Sequence, residues 1–337
     1  MADVKNNAAQ AVATEAAASQ GVPTRTLASE LTKEVGSNGS FVRQQNRFTT
    51  PFGEGPGELP VEAGRYRILW APICPWAHRA IIVRKLLGLE EAISVGTASP
   101  IRTEHGWEFS LDEGGVDPVL GIRYLPEIYK ETDPAYEGRA TVPTVVDVTT
   151  RQVVNNDYFK LTNYLETAWS KYHKPGAPDL YPEQLRQEID ELNDVLFHEV
   201  NNGVYKAGFA RSQEAYEAAY DVLFTRLDQL EERLANQRYL FGSTITDSDI
   251  RLYVTLVRFD AAYYTAFRTN RNRLVDFPNL SAYARDLYQT PGFGDTTDFD
   301  AIKKGYHLGQ IANNPYRLLP KGPDLSFWNT PHGRETL

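Results

Sequence analysis

The chemistry of this chain centres on Cys74, the one cysteine among its 337 residues. A β-rich run at residues 65–70 precedes it, and an apolar stretch with helical spacing at residues 80–87 follows it. We therefore expect Cys74 in the first turn of a helix. Pro75 suits the first helical position, because the N–H that proline lacks has no partner there. The free amides and the dipole of such a turn stabilise a thiolate, which is the nucleophilic form of cysteine.

A thiolate at this position is chemically plausible. A helix N-terminus can lower the pKa of a cysteine from about 8.5 to between about 3.5 and 7.5. Arg79 and His78 follow closely in the chain and could assist. We predict that Cys74 titrates below its ordinary pKa. The alternative is that Cys74 is a small buried hydrophobic residue, as most free cysteines are.

The sequence around the thiol indicates monothiol chemistry. Cys74 is followed by Pro-Trp-Ala, so the second cysteine of a Cys-x-x-Cys dithiol site is missing. A disulfide partner must then come from outside the chain, and a small thiol is the natural source of the second sulfur.

Composition narrows the class of protein. A net charge of -9 and a pI near 5.3 argue against nucleic acid or an anionic membrane surface as the main partner. One cysteine excludes an internal disulfide framework, and no run of about 18 apolar residues predicts a membrane-spanning helix. The six histidines are scattered without ligand spacing, so no metal site is expected. With no signal-peptide pattern at the N-terminus, we expect a cytoplasmic enzyme.

Length and patterning predict three parts: a flexible leader at 1–45, an α/β domain at 46–170, and a helical domain with a C-terminal tail at 171–337. The leader is rich in small and polar residues. Residues 296–337 are expected to be loop-like. The helical pattern recurs in four segments, 183–200, 213–236, 247–267 and 280–287.

The α/β domain reads as strand, helix, long insert, hairpin and helix. The insert, at about 94–138, is expected to be irregular surface structure of the kind that often carries binding function. The hairpin pairs residues 144–147 with 152–154, and a helix with good capping residues begins at 155–157. Pro143 precedes the hairpin. Because prolyl bonds are cis in only about 5–6% of cases, the residues alone predict a trans bond.

Five motifs between about Arg47 and Pro323 together resemble a known family. They are Cys-Pro-Trp-Ala-His-Arg at 74–79, Gly-Trp at 106–107, Gly-Arg-Ala-Thr-Val-Pro at 138–143, Asn-Asn-Gly-Val-Tyr-Lys-Ala-Gly-Phe-Ala at 201–210, and Asp-Ile-Arg-Leu at 249–252. This set is similar to the Xi-class glutathione transferases, the glutathionyl-hydroquinone reductases. The resemblance implies a thioredoxin-like N-terminal domain followed by an all-helical glutathione transferase domain, and a homodimer.

The resemblance also implies roles for individual residues. Cys74 would be the nucleophile that removes the glutathionyl group from a quinol thioether, and a second glutathione would resolve the mixed disulfide. Tyr205 and Tyr306 would line the pocket for this small aromatic substrate. Glutathione or a related small thiol would be the co-substrate, with no tightly bound cofactor. Six residues would bind the thiol: Trp107, Arg139, Val142, Pro143 with a cis bond, Asn156 and Asp157.

Two stretches depart from the family pattern. The family has Asn-Glu-Ser-Ser-Glu where this chain reads Asn-Asp-Tyr-Phe-Lys at 156–160, and it usually has His-Tyr-Tyr where this chain reads Gly-Tyr-His at 305–307. Loop drift is one interpretation of Tyr158 and Phe159, and recognition of a different small thiol is the other. A further alternative is a thiol-binding or regulatory protein on the same fold with little turnover.

Overall fold

A four-stranded mixed sheet carries the first half of the molecule, in a computed structural model that describes residues 34–309 and 314–337. The strands are β1 (Tyr66–Trp70), β2 (Ile93–Thr97), β3 (Thr144–Asp147) and β4 (Gln152–Asn155). They lie in the order β2-β1-β3-β4, with β1 parallel to β2 and antiparallel to β3. Ile68 lies opposite both Val95 and Val145 at the centre of the sheet. This small sheet with flanking helices has the thioredoxin-like arrangement.

Helix α1 (Pro75–Leu87) follows β1 and begins directly after Cys74. Pro75 occupies its first turn, as the sequence predicts. The helix ends at Gly88, which has φ 73° and ψ 35°, a left-handed conformation that favours glycine because it has no Cβ. Eleven of the thirteen residues of α1 are buried. The helix is thus packed on both sides, which fixes the thiol relative to the sheet and to the helical domain.

The insert is more regular than the sequence predicts. It contains the parallel strand β2 at its start and helix α2 (Leu125–Thr132) near its end. The prediction failed because β2 holds glycine and serine between its apolar residues, and because pairing to β1 supplies the order that local propensity lacks.

Two predictions around the hairpin are wrong. The Val142–Pro143 bond is cis, against the trans bond predicted from frequencies alone and in accord with the resemblance. Helix α3 spans Leu161–Glu166 and begins later than residue 155. Asp157 explains the delay, because its Oδ1 accepts from the amides of Phe159 and Lys160 and so forms a turn ahead of the helix.

Helices make up the second half of the described chain. They are α4 (Arg186–Val195), α5 (Gly203–Phe209), α6 (Gln213–Arg233), α7 (Asp247–Arg258), α8 (Tyr264–Ala266), α9 (Pro278–Gln289) and α10 (Phe299–Leu308). Wider π-helical turns at Leu196–Asn201 and Phe259–Tyr263 follow α4 and α7. Thr246 and Asp249 form the predicted capping box of α7. The prediction that residues 296–337 are loop-like is wrong for the first part of this range, because α10 lies there.

The predicted leader falls largely on residues 1–33, which lie outside the described part of the chain. Residues 34–45 do not fit the prediction of a loose segment, because Glu34 and Phe41 are buried against the body. Among the described residues, no helix has both the length and the apolar character needed to cross a bilayer. The same residues contain no group of three or more acidic, histidine or cysteine side chains suited to a metal ion.

Candidate active site

Cys74 lies at the N-terminus of α1 and faces the loop that leads into β3. Its Sγ donates to the carbonyl oxygen of Val142 at 3.4 Å, directly before the cis peptide bond to Pro143. The amide of Cys74 donates to the oxygen of Ala71, which closes the turn after β1. The sequence prediction that places the thiol, the Val-Pro loop and the helix start together is consistent with this geometry.

The predicted lowering of the thiol pKa is wrong in sign. Burial raises the pKa of Cys74, and this effect exceeds the opposing influence of the Ala77 amide, the Arg258 guanidinium, the Trp76 amide and Arg43. The sequence prediction counted the helix terminus and omitted the loss of hydration, which disfavours the charged form. Cys74 is therefore a neutral thiol near neutral pH unless a bound ligand changes its surroundings.

Arg258 is the cation that organises the thiol turn. This buried residue of α7 donates from Nε to the oxygen of Ile73 and from Nη2 to the oxygen of Pro72, both at 2.9 Å. Its Nη1 lies 3.2 Å from Nδ1 of His78. Sequence reasoning missed Arg258 because it comes from the other domain and no local motif marks it. The predicted helper Arg79 instead donates to Oδ1 of Asn201 at 2.7 Å.

A pocket with a volume of about 150 Å³ opens in front of Cys74. Aromatic and apolar side chains from both domains form most of its wall; they include Phe41, Ile73, Trp76, Trp107, Tyr205, Phe209 and Tyr306. Four charged side chains also line the described pocket, namely Glu34, Arg43, Arg102 and Arg139. Three cations against one carboxylate favour an anionic ligand.

Three of the predicted thiol-binding residues line this pocket: Trp107, Arg139 and Val142. Arg139 is already ion-paired, because its Nη2 donates to Oε1 of Glu34 at 2.9 Å. Gln44 accepts from the Arg139 amide at 2.8 Å and thus holds the same loop. A ligand carboxylate at Arg139 would therefore compete with, or add to, the carboxylate of Glu34.

Asn156 and Asp157 are not part of the pocket wall. Asn156 is buried, accepts from the amide of Phe48 at 3.0 Å, and donates to the hydroxyl of Tyr129 at 3.2 Å. Asp157 accepts from Nδ2 of Asn46, a pocket residue, at 3.3 Å. Asn156 thus holds the loop before α3, and Asp157 lies one hydrogen bond behind the pocket surface.

The two aromatic residues that break the family pattern point to different environments. Tyr158 lines the pocket, with its ring 5.1 Å from that of Trp76. Phe159 packs against Phe197 at 5.4 Å and under the guanidinium of Arg251 at 4.9 Å. Tyr158 can contact a ligand directly, whereas Phe159 contributes to packing between the domains.

Tyr205 and Tyr306 meet at the pocket wall. Their hydroxyl oxygens are 2.5 Å apart, and the hydroxyl of Tyr263 lies 3.0 Å from that of Tyr306. Burial raises the pKa of Tyr205 and raises the pKa values of Tyr263 and Tyr306 well above the ordinary value. The cluster is therefore protonated near neutral pH. Sequence reasoning identified two members and missed Tyr263, which helical periodicity alone assigns to the core.

The segment at residues 34–46 supplies site residues, all but Asn46 of which the sequence prediction placed in the leader. Glu34, Phe41, Arg43, Gln44 and Asn46 all line the pocket. The segment has no regular secondary structure pattern, and its polar composition hid this role. Phe41 and Phe48, two large apolar residues in a polar stretch, were the available signal that the segment packs against the body.

Comparison with known proteins agrees with this geometry. A family model described as the glutathione S-transferase N-terminal domain matches residues 73–168, and one described as its C-terminal domain matches residues 213–286. The glutathionyl-hydroquinone reductase YqjG of Escherichia coli is 40% identical over 313 residues, which covers 90% of this chain and 94% of that protein. PcpF of Sphingobium chlorophenolicum, which has the same enzyme name, is 39% identical over 85% of this chain and 91% of its own length.

Solved structures give the same result. The Xi glutathione transferase of Phanerochaete chrysosporium superposes with a TM-score of 0.84 at 40% identity and covers 90% of this chain and 98% of that chain. The glutathione-bound structure of YqjG has a TM-score of 0.79 at 40% identity, with 89% and 98% covered. This chain belongs to the glutathione transferase family of enzymes and, within it, to the Xi class.

Proposed function

We propose that this protein is a cysteine-dependent glutathionyl-hydroquinone reductase, which removes the glutathionyl group from quinol thioethers. The observation that carries the proposal is the shared pocket of Cys74, the cis Val142–Pro143 loop and the Tyr205–Tyr306 pair. Two relatives named glutathionyl-hydroquinone reductase, each about two-fifths identical over most of this chain, support the same substrate class.

The reaction needs two steps at one sulfur. The Cys74 thiol first loses its proton to solvent. The resulting thiolate attacks the sulfur of the thioether, so an S–S bond forms and the bond from sulfur to the ring carbon breaks. The electron pair of the broken bond goes to the quinol ring, which takes a proton and leaves as the free quinol. The thiolate of a second glutathione then attacks the mixed disulfide, which releases glutathione disulfide and restores the Cys74 thiolate.

Tyr205 and Tyr306 are suited to supply the proton to the ring. Burial raises the pKa of each phenol, so both carry a proton near neutral pH. Their short hydroxyl contact and the neighbouring Tyr263 allow a proton to be replaced through the cluster. A positioned acid of this kind contributes about 10²- to 10⁴-fold to a rate. We expect Tyr306→Phe to lower turnover by about 10²-fold or more.

The thiol co-substrate we propose is glutathione, which carries two carboxylates and one ammonium group. Trp107 offers a ring face, Val142 offers backbone groups beside the cis bond, and the lining cations Arg102 and Arg139 suit the carboxylates. We propose that Asp157 acts on the ammonium group, directly or through Asn46, and that Asn156 keeps this loop in place.

Turnover by the Cys74→Ala variant tests the proposal. Release of glutathione from a glutathionyl-hydroquinone should be lost in this variant and retained in the wild type. Equal rates would remove Cys74 from the mechanism and the proposed function with it. Calorimetry with glutathione addresses the thiol-binding or regulatory alternative, which would show tight binding by the wild type without any release.

We further propose the division of the chain near residue 170 into a thioredoxin-like and a helical domain, a homodimer, and a cytoplasmic location. The family resemblance supports the dimer. Light scattering of the purified protein measures the dimer directly. A monomer mass at working concentrations would contradict it.

A further inference from the structure

Arg43 places a guanidinium in the aromatic part of the pocket. Its Cζ lies 4.6 Å from the ring centre of Trp76 and 4.7 Å from that of Tyr205. Nε donates to Oδ1 of Asn202 at 2.8 Å, which fixes the orientation of the group. Nη2 is buried and has no hydrogen-bond acceptor among the described residues. A buried charged donor without an acceptor is costly, so this atom is positioned to bind an acceptor that the protein does not supply.

The carboxylate of Glu34, which lines the pocket, is bonded to residues other than Arg43. In the described part of the chain, Glu34 is the one carboxylate of the pocket wall, and its Oε1 accepts from Arg139 and from the amide of Gln44, each at 2.9 Å. Arg43 is thus a cation among rings with no carboxylate bonded to it in the described structure. In such low-polarity surroundings a charge attracts an anion more strongly than it does in water.

We propose that Arg43 forms an anion subsite for the quinol part of the substrate, so that the enzyme prefers quinol thioethers that carry an acidic group on the ring. The quinol ring lies against Trp76 and Tyr205, and its acidic group accepts a hydrogen bond from Arg43. The inference rests on the proposed function, because it requires a quinol ring in this pocket.

Two other anions compete for Arg43, and the structure provides other cations for both. The thiolate of Cys74 has Arg258, which holds the turn around it and opposes the effect of burial on its pKa more strongly than Arg43 does. The carboxylates of the thiol have two other lining cations, Arg139 and Arg102, and Cζ of Arg102 lies 6.0 Å from the ring centre of Trp107. Arg43 instead contacts the ring of Tyr205, which lines the part of the pocket proposed for the quinol ring.

A matched pair of substrates tests the subsite. One is the glutathionyl thioether of a dihydroxybenzoic acid, and the other is the methyl ester of the same compound, which lacks the acid's charge. We expect the wild type to favour the acid over the ester by about tenfold or more in kcat/KM. Arg43→Met should bring this ratio close to one by slowing the acid alone, and Arg43→Lys should keep part of the preference. Arg47 is an exposed arginine close to Arg43 in the chain, and Arg47→Met should leave the ratio unchanged.

Each of the following results would contradict the proposed anion subsite at Arg43. If the wild type uses the methyl ester as well as the acid, the enzyme has no preference for an acidic group. If Arg43→Met slows both substrates equally, Arg43 has a role other than recognition of the acid. A higher KM for glutathione with an unchanged ratio assigns Arg43 to the thiol. A shifted pH profile of Cys74 alkylation with an unchanged ratio assigns it to the thiolate. Loss of the proposed function itself would appear separately, as unaltered release by Cys74→Ala.

Discussion

The reactivity of Cys74 is a balance between hydration and charge. Burial raises the thiol pKa, while two helix amides and the guanidiniums of Arg258 and Arg43 oppose it. We expect the alkylation rate of the free enzyme to increase with pH, with an inflection above about 8.5, because only the thiolate reacts. Arg258→Met should move the inflection to higher pH, since it removes the largest opposing charge.

Iodoacetamide alkylation followed by mass spectrometry gives this profile. Arg271→Met is a suitable control, because Arg271 is a half-exposed residue that pairs with Asp228 on the surface. An inflection below about 8.5 in the wild type would mean that the amides and cations outweigh burial, and it would contradict the raised pKa of the thiol.

Tyr158 and Phe159 are neighbours in sequence with separable roles. Tyr158 lines the pocket at the position where the family resemblance leads us to expect serine, so Tyr158→Ser should strengthen glutathione binding by about 5- to 150-fold, the equivalent of about 1–3 kcal/mol. Phe159→Ser should leave affinity nearly unchanged and lower stability, because it removes the ring that packs on Phe197 and beneath Arg251. Calorimetry and thermal unfolding measure the two effects. Weaker or unchanged binding by Tyr158→Ser would show that this ring does not determine thiol choice.

At the scale of elements, the sequence predicted what local rules determine. Helix α1, with Pro75 at its start and Gly88 at its end, follows from caps and apolar spacing. Strand β2 and helix α10 could not be predicted from such local rules. Pairing to β1 stabilises the strand, and packing on the body stabilises the helix. The site followed the same rule: Cys74 and the Val-Pro loop could be found locally, whereas Arg43 and Arg258 act from distant segments.

His78 connects α1 to the helical domain as a neutral side chain. Nδ1 faces the guanidinium of Arg258 at 3.2 Å, so it acts as acceptor, and Nε2 is 2.9 Å from Oγ1 of Thr296. Burial and then Arg258 hold the His78 pKa well below its ordinary value. The unfolded state therefore binds more protons than the folded state at acidic pH. The stability contributed by neutral His78 is present above about pH 6.5 and is lost as pH falls through the window below it.

Denaturant unfolding at a series of pH values measures this effect. Stability should fall below about pH 6.5 by up to about 1.4 kcal/mol per pH unit for this one group. In His78→Gln the slope should be smaller, even though the variant is less stable overall. An identical slope in both proteins would show that other groups account for acid sensitivity.

At the scale of the whole molecule, buried arginines join the two domains. Arg258 bonds to the turn before α1, Arg79 of α1 bonds to Asn201, and Arg251 of α7 bonds to the oxygen of Phe159 at 2.8 Å. These contacts join the thiol turn and the loop before α3 to the same helical layer. Sequence patterns could not reveal them, because each links residues from different domains through side chains that composition assigns to the surface.

Arg251 is the contact whose loss should cost most. Its Nε donates to Oδ2 of Asp247 at 2.6 Å, and both residues are buried. Burial and Asp247 raise the pKa of the neighbouring Glu166 well above its ordinary value. Asp247 is the carboxylate whose charge Arg251 balances. Arg251→Met leaves that charge unpaired, and removal of one partner of a buried pair costs about 3–5 kcal/mol.

The exposed pair of Arg273 and Asp276 provides the comparison. Its side chains are 57% and 36% exposed, so Arg273→Met should lower the free energy of unfolding far less than Arg251→Met does, as denaturant unfolding can measure. Arg251→Met should also weaken glutathione binding, because the loop that carries Asp157, the residue proposed to act on the ammonium group, loses its bond to α7. The double variant Arg251→Met with Asp247→Asn should recover part of the stability, since it removes the unpaired charge. If it recovers none, the cost of Arg251→Met comes from lost packing and the bond to Phe159, and charge pairing is not what makes this contact important.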